Sequence, residues 1–162
     1  MTTTAFPERL LVWGLFSRGI ALIYCISFVS LLSYSQVVAL AGTKGINPIS
    51  LKLKAIERDI PNKWIQFCRF PTLLWISSSD ITLKILPLFG LLFSIITFIG
   101  GQWTPITFCA TWVIYLSLDL PVGLKFPWDS LLLEAGFLAQ LLPPTSAITS
   151  AREFFDSSKL LA

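Results

Sequence analysis

The 162-residue sequence contains no histidine, and only 13% of its residues are charged. Without histidine there is no histidine acid–base catalysis, no histidine-ligated haem or zinc, and no histidine pH switch. The scarcity of charge excludes a soluble enzyme, a disordered tail and an ordinary nucleic-acid binder, because soluble domains carry about 25% charged residues. Cysteine is sparse too. Cys25, Cys68 and Cys109 are odd in number, far apart and outside any CxxC pattern, so they read as packing residues rather than a disulfide framework or metal knot. GxSxG, Walker, GxGxxG and HExxH patterns are all missing, and no catalytic residue, metal or cofactor is expected.

What is present is apolar: 54% of the residues are hydrophobic and 14% aromatic. That composition points to a membrane. Residues 19–43 carry no charge. This exceeds the ~20 apolar residues that cross a ~30 Å hydrocarbon layer, and no small-residue cleavage site follows, so a retained span is expected at about residues 19–41. A second charge-free run, 85–118, is too long for one helix, and Gly100-Gly101-Gln102-Trp103-Thr104-Pro105 breaks it. The break predicts two antiparallel helices, at about 81–99 and 104–118. Residues 130–142 form a further apolar stretch, roughly 20 Å long as a helix and too short to cross alone. It reads as a half-membrane or re-entrant helix; a tilted span completed beyond Pro143-Pro144 is the alternative.

The fold class expected is therefore all-α: a multi-pass transmembrane bundle with three spanning helices, one short or re-entrant helix and a basic amphipathic interfacial loop. Its parts are an N-terminal flank at 1–18, a membrane-embedded domain at 19–142 and a tail at 143–162. The loop at 44–80 carries Lys44, Lys52, Lys54, Arg58, Lys63 and Arg69 against Glu57, Asp59 and Asp80. The positive-inside rule places that loop on the cytoplasmic, matrix or stromal side. Within it, apolar residues at 49, 53, 56 and 60 with basic residues between them suit a short helix lying at the headgroups and ended by Pro61; a solvated connector fits equally. Beside membrane spans, lysines mixed with aromatics indicate a phospholipid-facing surface rather than a nucleic-acid site.

Three local clusters stand out. The first, Gly42 to Pro48, is a turn-rich exit from the first span in which Gly42 and Gly45 can take positive φ, with Pro48 at its end. The second, Pro71 to Asp80, contains Trp75 and ends in a Ser/Asp helix cap. The third runs from Phe126 through Trp128, Asp129, Glu134 and Gly136 to Ala139 and sets an acid inside an apolar helix, which is costly unless the acid is paired. The topology brings all three to the long-loop side, either as a site or as turns and caps packed together. Lys84 is the expected partner of Glu134, with the backbone of the Gly42–Pro48 turn next in line. Gly136 and Ala139 are expected to face another helix.

In this order and spacing, these clusters resemble the lipase maturation factor family. The resemblance includes Ser17-Arg18-Gly19-Ile20-Ala21-Leu22-Ile23-Tyr24 and is strongest at Trp128-Asp129-Ser130-Leu131-Leu132-Leu133-Glu134-Ala135-Gly136-Phe137-Leu138-Ala139. It implies a non-enzymatic, multi-pass protein of the endoplasmic reticulum that helps secreted lipases fold and assemble, with membrane lipids and a protein client as partners. The family continues past this motif with further spans and a large soluble domain, whereas this sequence stops at Ala162. A second expectation follows: a small accessory subunit of a larger photosynthetic or respiratory complex in a thylakoid or inner mitochondrial membrane.

Overall fold

A computed structural model describes residues 5–33, 36–100, 103–122 and 127–141. The described residues contain helices and no strand: α1 (Ala5–Leu32), α2 (Gln36–Ala41), α3 (Ile49–Asp59), α4 (Lys63–Arg69), α5 (Asp80–Ile99), α6 (Thr104–Val122) and α7 (Pro127–Gln140). A 3₁₀ turn at Leu73–Trp75 precedes α5. The proposed tail at 143–162 lies outside the described residues.

Local chemistry explains most boundaries. α3 covers the residues that the 49/53/56/60 pattern marks; it buries Ile49 and Leu53 and stops where Pro61 holds Ile60 in an extended conformation (φ −127°). α5 starts where the Ser79 side chain accepts the Thr82 N–H at 3.2 Å, and ends where Gly100 takes φ 84° and donates its N–H to Ile96 O at 3.1 Å. The expected continuous helix over 19–41 is corrected. α1 begins at Ala5 and ends at Leu32, and α2 follows separately. The Ser33 hydroxyl donates to Val29 O at 2.8 Å, a local bond of the kind that competes with helix propagation. α6 continues to Val122 rather than 118, and α7 begins at Pro127, whose ring suits a first helical turn.

Among the described residues, two helices, Gly14–Leu32 within α1 and Asp80–Ile99, are long and apolar enough to cross a membrane by length and composition. The 19-residue α6 is about 28 Å long and carries one charged residue, Asp119. It buries Thr104, Thr107, Thr111 and Ser117.

The long helices α1, α5 and α7 each bury one stripe. In α5 the stripe is Leu83, Pro87, Gly90, Ser94 and Thr97, at alternating spacings of four and three residues. The opposite face exposes Ile85, Leu88, Phe89, Leu92, Ile95 and Phe98. The outward face is more apolar than the inward one, as a lipid solvent requires and water forbids. This is an integral membrane protein.

Antiparallel α1 and α5 meet through three successive approaches. Arg18 lies beside Gly100, Cys25 Sγ is 3.1 Å from Ser94 Oγ, and the Phe28 ring fills the space in front of Gly90. α6 returns antiparallel to α5: the Thr97 and Thr107 hydroxyls sit 2.9 Å apart near the turn, and α6 ends beside the segment that leads into α5. At the centre, the fully buried Tyr24 has ring centroids of Phe28, Phe108 and Tyr115 at 6.4, 6.3 and 5.4 Å. Its hydroxyl donates to Leu132 O of α7 at 3.1 Å. Gly136 makes this reach possible: a Cβ there would overlap the Tyr24 hydroxyl and lie 3.2 Å from Trp112 Cδ1. Ala139 is buried beside it on the same face, and Phe137 rests on the Trp112 ring at 5.6 Å.

Gly136→Leu should therefore lower the melting temperature in detergent, with an overpacking penalty of about 1–3 kcal/mol. An unchanged melting temperature would mean that this face of α7 meets lipid instead of α1.

Candidate functional site

The end of the bundle from which α5 starts gathers most of the polar contacts between elements. The first and second clusters join through Asp80. Its Oδ1 accepts the Thr43 backbone N–H and its Oδ2 accepts the Thr43 hydroxyl, both at 2.8 Å. A carboxylate in the first turn of α5 also opposes the positive end of that helix dipole.

The turn that carries Thr43 is tight. Gly45 N–H donates to Gly42 O at 2.9 Å, Ile46 N–H to Ala39 O at 3.1 Å and Asn47 N–H to Leu40 O at 2.8 Å, after which Pro48 admits the chain to α3. Neither Gly42 nor Gly45 uses the positive φ open to it; among the described residues the glycine in that conformation is Gly100. The two turn glycines answer a shortage of room. A Cβ at 42 would lie 3.0 Å from Asp80 Oδ1, and one at 45 would lie 2.7 Å from Leu40 O.

The second cluster is fastened to α6. The Thr72 hydroxyl donates to Ser117 O at 2.9 Å, and Leu73 N–H donates to Ser117 Oγ at 3.1 Å. The Trp75 indole N–H donates to Phe70 O at 2.9 Å and holds the intervening loop closed. The third cluster reaches the same stretch of α6, where the buried Asp129 accepts the Tyr115 hydroxyl. Trp128, one residue earlier, is largely exposed. All three clusters are thus linked through Asp80 and residues 115–117.

On α7 the acid held inside the bundle is Asp129, which corrects the reading that put Glu134 there. The α7 stripe of Asp129, Leu132, Gly136 and Ala139 faces inward. Glu134 is two positions from both Leu132 and Gly136, about 200° round the helix, and points outward. It does not meet Lys84. α7 packs on α1 and α6, while Lys84 is exposed on α5 one turn from Asp80. Among the described residues, no group of three or more His, Cys, Asp or Glu could hold a metal ion.

Three positions went unread in the sequence: Thr43, Tyr115 and Ser117. For Tyr115 a signal exists, since Thr104, Thr107, Thr111 and Tyr115 recur at three- and four-residue spacings and mark one polar helix face. No comparable pattern links Thr43 to Asp80 across 37 residues.

A family model described as the lipase maturation factor transmembrane domain matches residues 11–161. The chain is 35% identical over 152 residues to lipase maturation factor 2 of Xenopus tropicalis, an alignment that covers 87% of the chain and 20% of that protein. It is 34% identical over 147 residues to human lipase maturation factor 2, covering 86% and 20%. With mouse lipase maturation factor 1 it shares 33% over 135 residues, covering 78% and 23%. The chain thus spans about a fifth of the length of these relatives. No solved structure matches it.

Thermal unfolding in detergent separates the two acids of α7. Tyr115→Phe leaves the Asp129 carboxylate buried without its donor and should cost about 1–3 kcal/mol. Glu134→Gln should leave the melting temperature unchanged. The reverse ranking would return Glu134 to the interior.

Proposed function

The chain belongs to the lipase maturation factor family, and on that premise we propose that it serves, without catalysing a reaction, as the membrane-embedded scaffold of a factor that assists folding or assembly of a secreted lipase. The match over residues 11–161 carries this reading. The geometry supports it: the polar residues at the α5-entry end are spent on fastening turns to helices. What remains for partners is surface, namely the apolar outer faces of α1 and α5 and the exposed aromatic residues of α4. The endoplasmic reticulum is the proposed membrane.

We take α6 as a third crossing. Its polar stripe is buried, so lipid meets its remaining face, and it pairs with α5 across a turn too short to cross the layer again. α7, about 21 Å long, penetrates part of the way. The long-loop end, with Gly45, Pro48, Trp75, Asp80, Trp128 and Asp129, is the proposed structural hub; Gly136 locks α7 to α1, and Lys84 and Glu134 remain on the outer surface. No metal or cofactor is assigned.

The test is affinity purification of the tagged chain from membranes of lipase-secreting cells in mild detergent, followed by identification of what travels with it. The lipase client and the folding machinery of the endoplasmic reticulum are the expected companions. Migration with a respiratory or photosynthetic assembly would replace this reading with the accessory-subunit one.

A further inference from the structure

Between α3, α4 and the segment leading into α5 lies a cleft of about 450 Å³. Lys54, Lys63 and Glu57 line it, together with Ser50, Ser78 and Trp75. Three observations bear on what it holds. The first is depth. Ser78 is next to Ser79, the cap of a helix able to cross the membrane, so the cleft stands where that helix leaves the hydrocarbon and enters the headgroup layer. The second is the rim. Phe67 and Ile76 of the lining, on either side of Trp75, are 51% and 85% exposed. A rim of that kind suits the membrane–water boundary, where tryptophan is favoured, and suits open water poorly. The third is charge. Two lysines against one glutamate leave the lining with one net positive charge, the complement of a headgroup with one net negative charge.

We propose that this cleft binds the headgroup of an anionic glycerophospholipid from the surrounding bilayer. Lys54 and Lys63 face the phosphate, the Ser50 and Ser78 hydroxyls donate to its oxygens, and the apolar rim meets the upper acyl chain. The site depends on membrane embedding and not on the lipase role, so the purification above and the lipid test can fail separately.

The test uses the full chain in non-ionic detergent, offered equimolar palmitoyl-oleoyl phosphatidylserine and phosphatidylcholine, with retained lipid counted by native mass spectrometry. Phosphatidylserine adducts should exceed phosphatidylcholine adducts about tenfold. Lys54→Gln combined with Lys63→Gln should abolish the preference. So should Ser50→Trp, which fills the cleft and keeps both lysines. Lys44→Gln, a basic position outside the cleft, should leave the preference unchanged. Equal adducts, or a preference that survives the double substitution or falls as far with Lys44→Gln, would overturn the site in favour of diffuse surface charge. Loss of phosphatidylserine to millimolar inorganic phosphate would identify a free-anion site and overturn the lipid assignment.

Discussion

The bundle depends on one close approach: Tyr24 of α1 reaches the Leu132 carbonyl of α7 through the space left at Gly136. In lipid, apolar side chains gain little by leaving the solvent, so helices associate through tight packing and hydrogen bonds. Tyr24 supplies both at once. Its ring anchors the aromatic centre with Phe28, Phe108 and Tyr115, and its hydroxyl ties down the one long helix too short to cross alone. Gly90 plays the matching part on α5, where it admits the Phe28 ring. Two glycines facing two aromatics therefore set the spacing of α1 against both α5 and α7.

Once α7 is docked, its first turn is positioned too. Asp129 meets Tyr115, two residues from the Ser117 that fastens Thr72 and Leu73, while Asp80 holds the α2–α3 turn by Thr43. These bonds convert four separate excursions of the chain into one rigid end.

Much of this is legible in the sequence, for physical reasons that differ by element. The α5–α6 hairpin is readable because a glycine pair and a proline interrupt a charge-free run, and α3 because its periodicity and flanking prolines agree. The break after Leu32 is not readable by hydropathy: Ser33 and its neighbours are as acceptable in a membrane helix as in a turn. Glu134 misleads because an acid in an apolar helix attracts attention regardless of register. Counting the stripe from Gly136 instead, which must face a close neighbour, puts Asp129 inward and Glu134 outward. The Thr43–Asp80 clamp joins residues whose separation has no period, and only the fold brings them together.

With α5 crossing as proposed, a membrane separates the two ends of this bundle, the clustered turns on one side and the α5–α6 turn on the other. Labelling in sealed microsomes with a membrane-impermeant maleimide tests it directly. Cys25 and Cys109 are replaced by alanine, and the probes are the exposed native Cys68 on α4 and, in a separate Cys68→Ala chain, Trp103→Cys at the α5–α6 turn, a position that is also exposed. One probe should react in intact microsomes and the other only after the membrane is permeabilised. Equal labelling of both before permeabilisation would place the two ends on the same side and contradict it.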